Sequence, residues 1–268
     1  MQDVSWEACR LRSRQITRRD VFRYTAAISA MPGWYTATAG ALPATPGATP
    51  KLIDFAMRQI PAEQIRAAGY HGVINYVSLS RPGSSFGAKP ITRQYADQLK
   101  AAGLMIVSNY QYGKPGGTAP SDFKRGFAGG VADARTAWKL HTAAGGGQSA
   151  PIFFTIDEDI SHETWKTVAL QWFRGINSVL GVQRTGVYGG IDVCKWAAAD
   201  GVIGSSRTPG RRWAWQTKAW SGGQIFPAAV LYQRVVSTAS NHGPKVGGQE
   251  VDVNDMLAED CGQWHLHP

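Results

Sequence analysis

The stretch Pro151-Ile152-Phe153-Phe154-Thr155-Ile156-Asp157-Glu158-Asp159-Ile160, continued by SHETWKTVALQWFRGINSVL from Ser161 to Leu180, reads as one strand followed by one helix. A short apolar run rich in aromatic and β-branched residues suits a buried strand. From residue 161 onward Trp165, Val168, Trp172, Phe173, Ile176, Val179 and Leu180 recur at three- and four-residue spacing, the period of an amphipathic helix. Ser161 can cap its start and Gly181 its end.

The same alternation extends in both directions. Short β-rich runs at 52–55, 72–78, 104–110, 151–157, 185–189, 212–216, 229–233 and 250–253 make eight. Residues 121–144 form a second clear helical pattern, with Ser121 as cap and Gly145-Gly146-Gly147 as terminator. Residues 218–226 and 235–248, after the sixth and seventh runs, are Gly- and Ser-rich and make poor helices. Strands alternating with helices predict an α/β chain with a parallel sheet: a single (β/α)8 TIM-type barrel, irregular in its last two βα units. A doubly wound open sheet is the alternative.

The chain has 268 residues, 43% hydrophobic, 10% aromatic and 18% charged. Such a composition can bury a sizeable core, which excludes wholesale disorder as well as collagen-like and coiled-coil classes. Of the formal charge of +9, residues 1–39 hold +3, from six arginines against Asp3, Glu7 and Asp20, and the remaining +6 is spread over the rest of the chain. Elsewhere the densest basic spots are pairs, Lys124-Arg125 and Arg211-Arg212, which read as solvated surface and not as a nucleic-acid site.

Thr17-Arg18-Arg19-Asp20-Val21-Phe22-Arg23 places twin arginines before a moderately apolar run at 24–35, with small residues at Ala37-Thr38-Ala39. This reads as a twin-arginine export signal over 1–39, followed by a Pro/Thr/Ala linker at 40–50 and the barrel domain at 51–268. The apolar run is shorter than the roughly 20 residues a membrane-spanning helix needs, so no transmembrane segment is expected in the mature chain. In an oxidising location Cys194 and Cys261 are free to pair; two separate small core residues are the equal alternative.

Barrel chemistry takes place at the C-terminal ends of strands. Asp54 lies at or near the end of the first strand, the apolar residues 152–156 of the fourth lead into Asp157-Glu158-Asp159, and Asp252 lies on the last, followed by Asn254-Asp255. Carboxylates gathered in one partly desolvated mouth cannot all ionise cheaply, so one rises in pKa and can donate a proton beside an ionised neighbour. Cleavage of a glycosidic bond needs that pairing. Asp157, Glu158, Asp159, Asp54 and Asp252 are therefore the candidate catalytic residues, Asp159 being equally suited to cap the following helix. Tyr76, Tyr110, Tyr112, Tyr188 and Trp215 offer rings for sugar faces, and Asn75, Gln216 and Gln233 offer hydrogen bonds to hydroxyls. Tyr110, Trp215 and Gln216 are preferred, since alternation must turn about half of such side chains toward the helices.

Residues 145–149 lack the Lys of a phosphate loop, and residues 147–151 lack the second Gly of a nucleophile elbow. His162 occupies the position where a calcium loop requires Gly, and His265-Leu266-His267 is a weak zinc pattern. Neither a metal nor another cofactor is expected.

These residues carry a resemblance. Thr17-Arg18-Arg19-Asp20-Val21, Ile60-Pro61-Ala62-Glu63-Gln64-Ile65-Arg66-Ala67-Ala68-Gly69, Tyr110-Gln111-Tyr112-Gly113-Lys114, Ile156-Asp157-Glu158, Gln183-Arg184-Thr185-Gly186-Val187-Tyr188, Lys245-Val246-Gly247-Gly248 and Val251-Asp252-Val253-Asn254 are similar to motifs of secreted actinobacterial proteins with the Rv2525c-like glycoside-hydrolase-like domain. The resemblance implies a TIM barrel related to family 25 lysozyme-type muramidases, export by the Tat machinery and action on peptidoglycan. Those muramidases carry an Asp-x-Glu pair on the fourth strand. By position Asp157 would be the assisting or stabilising acid, with Asp54 and Asp252 flanking it; Asp159 stands where Glu is expected, leaving the proton donor to Glu158 or Asp159.

Together these readings describe an exported, monomeric glycoside hydrolase acting on peptidoglycan or a related cell-wall glycan, extracellular or wall-associated. A non-catalytic glycan-binding module of the same fold is the alternative.

Overall fold

The computed structural model describes residues 49–84 and 86–264. The export signal, nearly all of the linker, and His265 and His267 lie outside the described residues.

In chain order the strands are β1 (Lys51–Asp54), β2 (Gly72–Tyr76), β3 (Met105–Tyr110), β4 (Ile152–Thr155), β5 (Thr185–Gly189), β6 (Arg212–Thr217), β7 (Ala229–Val235), β8 (Lys245–Val246), β9 (Gln249–Glu250) and β10 (Asp252–Met256). Eight of them close a barrel in the order β1-β10-β7-β6-β5-β4-β3-β2, while β8 and β9 form a separate hairpin. The helices are α1 (Ala62–Ala67), α2 (Arg93–Ala101), α3 (Gly126–Ala143), α4 (His162–Thr164), α5 (Leu170–Leu180) and α6 (Ile191–Ala199); a π-helical turn at Trp165–Ala169 joins α4 to α5.

One strand departs from the parallel expectation. β10 runs antiparallel to both β7 and β1, pairing Asp54 with Asp252 and Lys51 with Asp255. Its first residue therefore lies at the end of the barrel where the other seven strands finish, and Asp255 lies at the opposite end. Because β7 ends and β10 begins at the same end, residues 236–251 need no crossover helix. The Gly and Ser content of that segment makes a turn instead: Gly247 and Gly248, at φ 58° and 74°, join β8 to β9 in the two-residue form that demands left-handed backbone. No helix forms at 218–228 either.

Ser161 accepts a hydrogen bond from the Thr164 amide and caps α4 as expected. Ser121 does not act as a side-chain cap; a short 3-10 turn, Asp122–Arg125, precedes α3, and the Ser121 hydroxyl turns to Glu158. Helices α3 and α5 touch through glycine: a Cβ on Gly130 would stand 2.0 Å from the Trp172 carbonyl oxygen, and one on Gly175 would stand 2.1 Å from that of Phe127. Only a residue without a side chain permits that approach.

Strand alternation divides the core in two. Leu52, Ile74, Val107, Phe153, Tyr188, Trp215 and Leu231 fill the barrel, while Ile53, Val73, Ile106, Ile152, Phe154, Val187 and Ala214 pack outward under the helices. Cys194 belongs to the outer cluster and Cys261 to the inner one, and both are free thiols. No helix among the described residues is long and apolar enough to cross a membrane.

Candidate active site

The inward-facing parity continues past the hydrophobic filling to the strand ends, where it becomes polar. Asp54, Tyr76, Asn109, Gln111, Thr155, Asp157, Tyr188, Trp215, Gln233, Val236, Ser237 and Asp252 line one cavity of about 190 Å³ at this end of the barrel. That volume equals the share of about six liquid waters, so a single small ring could enter.

Two acids in the cavity are joined through one amide. Gln233 Nε2 donates to Asp252 Oδ2 at 2.9 Å and to Asp54 Oδ2 at 3.2 Å. Asp54 Oδ2 also accepts from Asn254 Nδ2 at 2.7 Å. Asn254 is held in turn by Trp215, whose Nε1 donates to Asn254 Oδ1 at 2.7 Å, and Gln233 by Tyr188, whose hydroxyl donates to Gln233 Oε1 at 2.7 Å. The Ser237 amide donates to Asp252 Oδ1 at 2.7 Å. The antiparallel register of β10 makes this arrangement, because it places Asp252 directly beside Asp54.

Asp157 enters from β4 and accepts from Gln111 Nε2 at 3.0 Å. The neighbouring Thr155 hydroxyl donates to Asn109 Oδ1 at 2.8 Å, fixing the cavity wall.

Burial decides the proton affinities. It pushes Asp54 from 3.8 up to about 6, although hydrogen bonds from Asn254 and Gln233 pull the other way. Asp252 is pushed up to about 8, by burial first and then by the Asp54 charge. Asp157 is also raised by burial, while the Gln111 hydrogen bond, Lys114 and Lys89 hold it down. Two adjoining carboxyls with affinities driven apart retain one proton between them near neutrality. The arrangement can therefore present a proton donor and a carboxylate base in one enclosed space.

The profile of the Rv2525c-like, glycoside hydrolase-like domain matches residues 63–256. The chain belongs to that family. It is 42% identical over 254 residues to Rv2525c of Mycobacterium tuberculosis, named as a proposed peptidoglycan hydrolase; the match covers 93% of this chain and 99% of that protein. The crystal structure of the Tat-secreted protein Rv2525c with L-tartrate superposes with a TM-score of 0.73 at 44% identity, over 81% of this chain and all of that one. The bacterial lysozyme of Streptomyces coelicolor aligns over 79% of this chain and 94% of its own, with a TM-score of 0.49 and 13% identity.

Within this family member, the residues singled out by sequence divide by parity. Asp54, Asp157, Asp252, Tyr76, Tyr188, Trp215 and Gln233 line the cavity. Glu158 does not: it accepts from the Ser121 hydroxyl and pairs with Lys124 at 2.9 Å. Asp159 is exposed and is also absent from the cavity wall, because the chain leaves the extended conformation after β4 and alternation no longer applies.

Two preferred sugar contacts face the other way. Tyr110 lies in the outer core and donates to Asp133 Oδ1 at 2.6 Å. Gln216 bridges the following loop, donating to the Gln224 carbonyl and accepting from the Phe226 amide, both at 2.7 Å. Asn75 shares the outward parity of Val73 and Val77, fully buried. Tyr112 is outside the cavity, its amide donating to Asp122 Oδ2 at 2.8 Å.

Sequence reasoning passed over Gln111, Thr155, Ser237 and Asn254. Two-residue spacing from a correctly placed neighbour would have found three: Gln111 from Asn109, Thr155 from Asp157, and Asn254 from Asp252. Ser237 sits in the loop after β7, where no periodicity exists.

Proposed function

We propose that this protein hydrolyses glycosidic bonds in peptidoglycan, using Asp252, Asp54 and Asp157. The observation that carries the reading is the single amide of Gln233 donating to both Asp54 and Asp252 inside the cavity that Asp157 also enters. The protonated member of the pair, Asp252, donates to the leaving glycosidic oxygen as the C–O bond breaks. Carboxylates of Asp54 and Asp157 face the positive charge that develops at the anomeric carbon, and water supplies the hydroxyl while its proton returns to the pair. Tyr188, Trp215 and Asn254 act by holding the acids in place. Peptidoglycan as the substrate follows the name given to the 42% identical relative.

Residues 1–39 serve in this reading as a twin-arginine export signal, in keeping with the Tat-secreted relative. The glycan-binding alternative draws on Glu158, which is committed to Ser121 and Lys124 instead of facing the cavity.

Digestion of purified sacculi by the mature chain tests the proposal. Release of new reducing ends is expected, falling on the order of 100-fold or more in Asp252→Asn, as loss of a general acid requires. Sacculi that bind the protein and yield no reducing ends would establish the binding module instead.

A further inference from the structure

Beside the cavity, on the side of β2 and β3, three cations gather with no carboxylate at ion-pair distance among the described residues. Lys89 Nζ stands 3.7 Å from the centroid of the Tyr76 ring, which lines the cavity, and donates to the Gln111 carbonyl at 3.1 Å. Arg81 donates to the Tyr112 carbonyl at 3.0 Å. Lys89 and Arg81 both lie over the Phe86 ring, at 5.2 and 5.7 Å from its centroid. Arg81 and Lys114 flank Gly117, where an added Cβ would meet each of them at 3.3 Å.

The neighbouring cations are satisfied differently. Lys124 pairs with Glu158, and Arg125 with Asp122 and Asp133. Arg81 and Lys89 instead meet carbonyl oxygens and aromatic rings, and among the described residues neither they nor Lys114 forms an ion pair. Burial first, and then Arg81, draw Lys89 down to about 7, Lys114 acting in the same direction, while the charges of Asp122 and Asp157 pull the other way. Like charges held together at a cavity rim repel one another, and an incoming anion relieves that repulsion. Each cation also keeps N–H donors beyond those already used.

We propose that Arg81, Lys89 and Lys114 form a subsite for a carboxylate carried by the glycan whose reacting bond lies at Asp157. Lys89 and Lys114 are both close enough to act on the charge of Asp157, which places the subsite next to the reacting centre. The favoured substrate is then an acid-bearing glycan in preference to a neutral one. This deepens the hydrolase reading and rests on it only for the position of the scissile bond.

The test separates the two. The Asp157→Asn chain, unable to cut, is measured for retention on native sacculi and on sacculi whose carboxyls have been converted to amides. Retention is expected to be about 10-fold stronger on native sacculi, the scale of one charge-assisted hydrogen bond. Adding Arg81→Gln with Lys114→Gln should abolish that difference. Lys114→Gln alone, at an exposed position, should reduce it and serves as the variant with least risk to folding.

Equal retention on the two kinds of sacculi, or a difference that survives the double substitution, overturns the subsite. Retention that is lost on stripping phosphodiester-linked polymers, and kept on amidation, overturns the carboxylate in favour of phosphate. Reducing-end release by the unmodified chain is scored separately, so failure of cleavage counts against the hydrolase reading and leaves the retention result standing.

Discussion

Asp54→Asn should make the protein more stable and less active, with the gain in stability set by pH. Asp54 is 6% exposed, and its carboxyl is raised from 3.8 to about 6, chiefly by burial. The folded chain thus holds this proton more tightly than the unfolded chain does. The contribution is fully present below pH 3.8 and is lost as pH rises through 6. A displacement of about two pKa units corresponds to roughly 3 kcal/mol of stability that the native residue forfeits by pH 7. Asparagine forfeits none. Its oxygen can take the place of Asp54 Oδ2 and accept the same bonds from Asn254 and Gln233, so the geometry is retained. Denaturant unfolding of both chains from pH 4 to pH 8 should give curves that nearly coincide at the acid end. They should separate to about 3 kcal/mol at pH 7, or a melting-temperature gain of roughly 6–12 °C for a domain of this size. Curves that stay parallel across the range, or a variant that loses ground as pH rises, would refute the claim that an ionised Asp54 is held at a cost.

Three further outcomes follow from the same geometry. Sacculus cleavage should be greatest between about pH 6 and pH 8: below that window both members of the Asp54–Asp252 pair are protonated, and above it neither can donate. A rate that rises steadily to pH 10 would dismiss the pair as acid and base. Trp215→Phe removes the donor to Asn254 Oδ1 and leaves a buried acceptor unpaired, costing about 1–3 kcal/mol in chemical unfolding and lowering kcat more than it raises KM. Asn75→Leu should stabilise the fold by about 1–3 kcal/mol, since neither amide atom of Asn75 finds a partner in its buried outward position. Sacculus binding by that variant should be unaltered, and a loss of binding would return Asn75 to the site.

The barrel was legible because its signal is local and repeated. Apolar runs such as Ile152–Thr155 and the stripe from Trp165 to Leu180 each fix an element by periodicity, and eight repetitions fix the architecture. The acids at strand ends were legible for the same reason, since Asp54 and Asp157 each close an apolar run. Parity was harder to read. Tyr110 and Gln216 are aromatic and polar residues at strand ends like Tyr76 and Gln233, yet a shift of one residue turns them from the cavity toward the helices.

From its sequence alone, then, this chain determined the number of barrel strands, the family and the presence of acids at the ends of particular strands. What only the tertiary structure decided is which acids meet. Asp159, two residues from Asp157, leaves the cavity once the strand ends, while Asp252, nearly two hundred residues from Asp54, becomes its partner because β10 reverses direction. Strand direction depends on which end of the barrel the 236–251 connection returns to, a property of the closed sheet that no local run of residues encodes. The proton shared near neutrality follows from the same closure, because desolvation acts on a carboxyl only after distant strands have enclosed it.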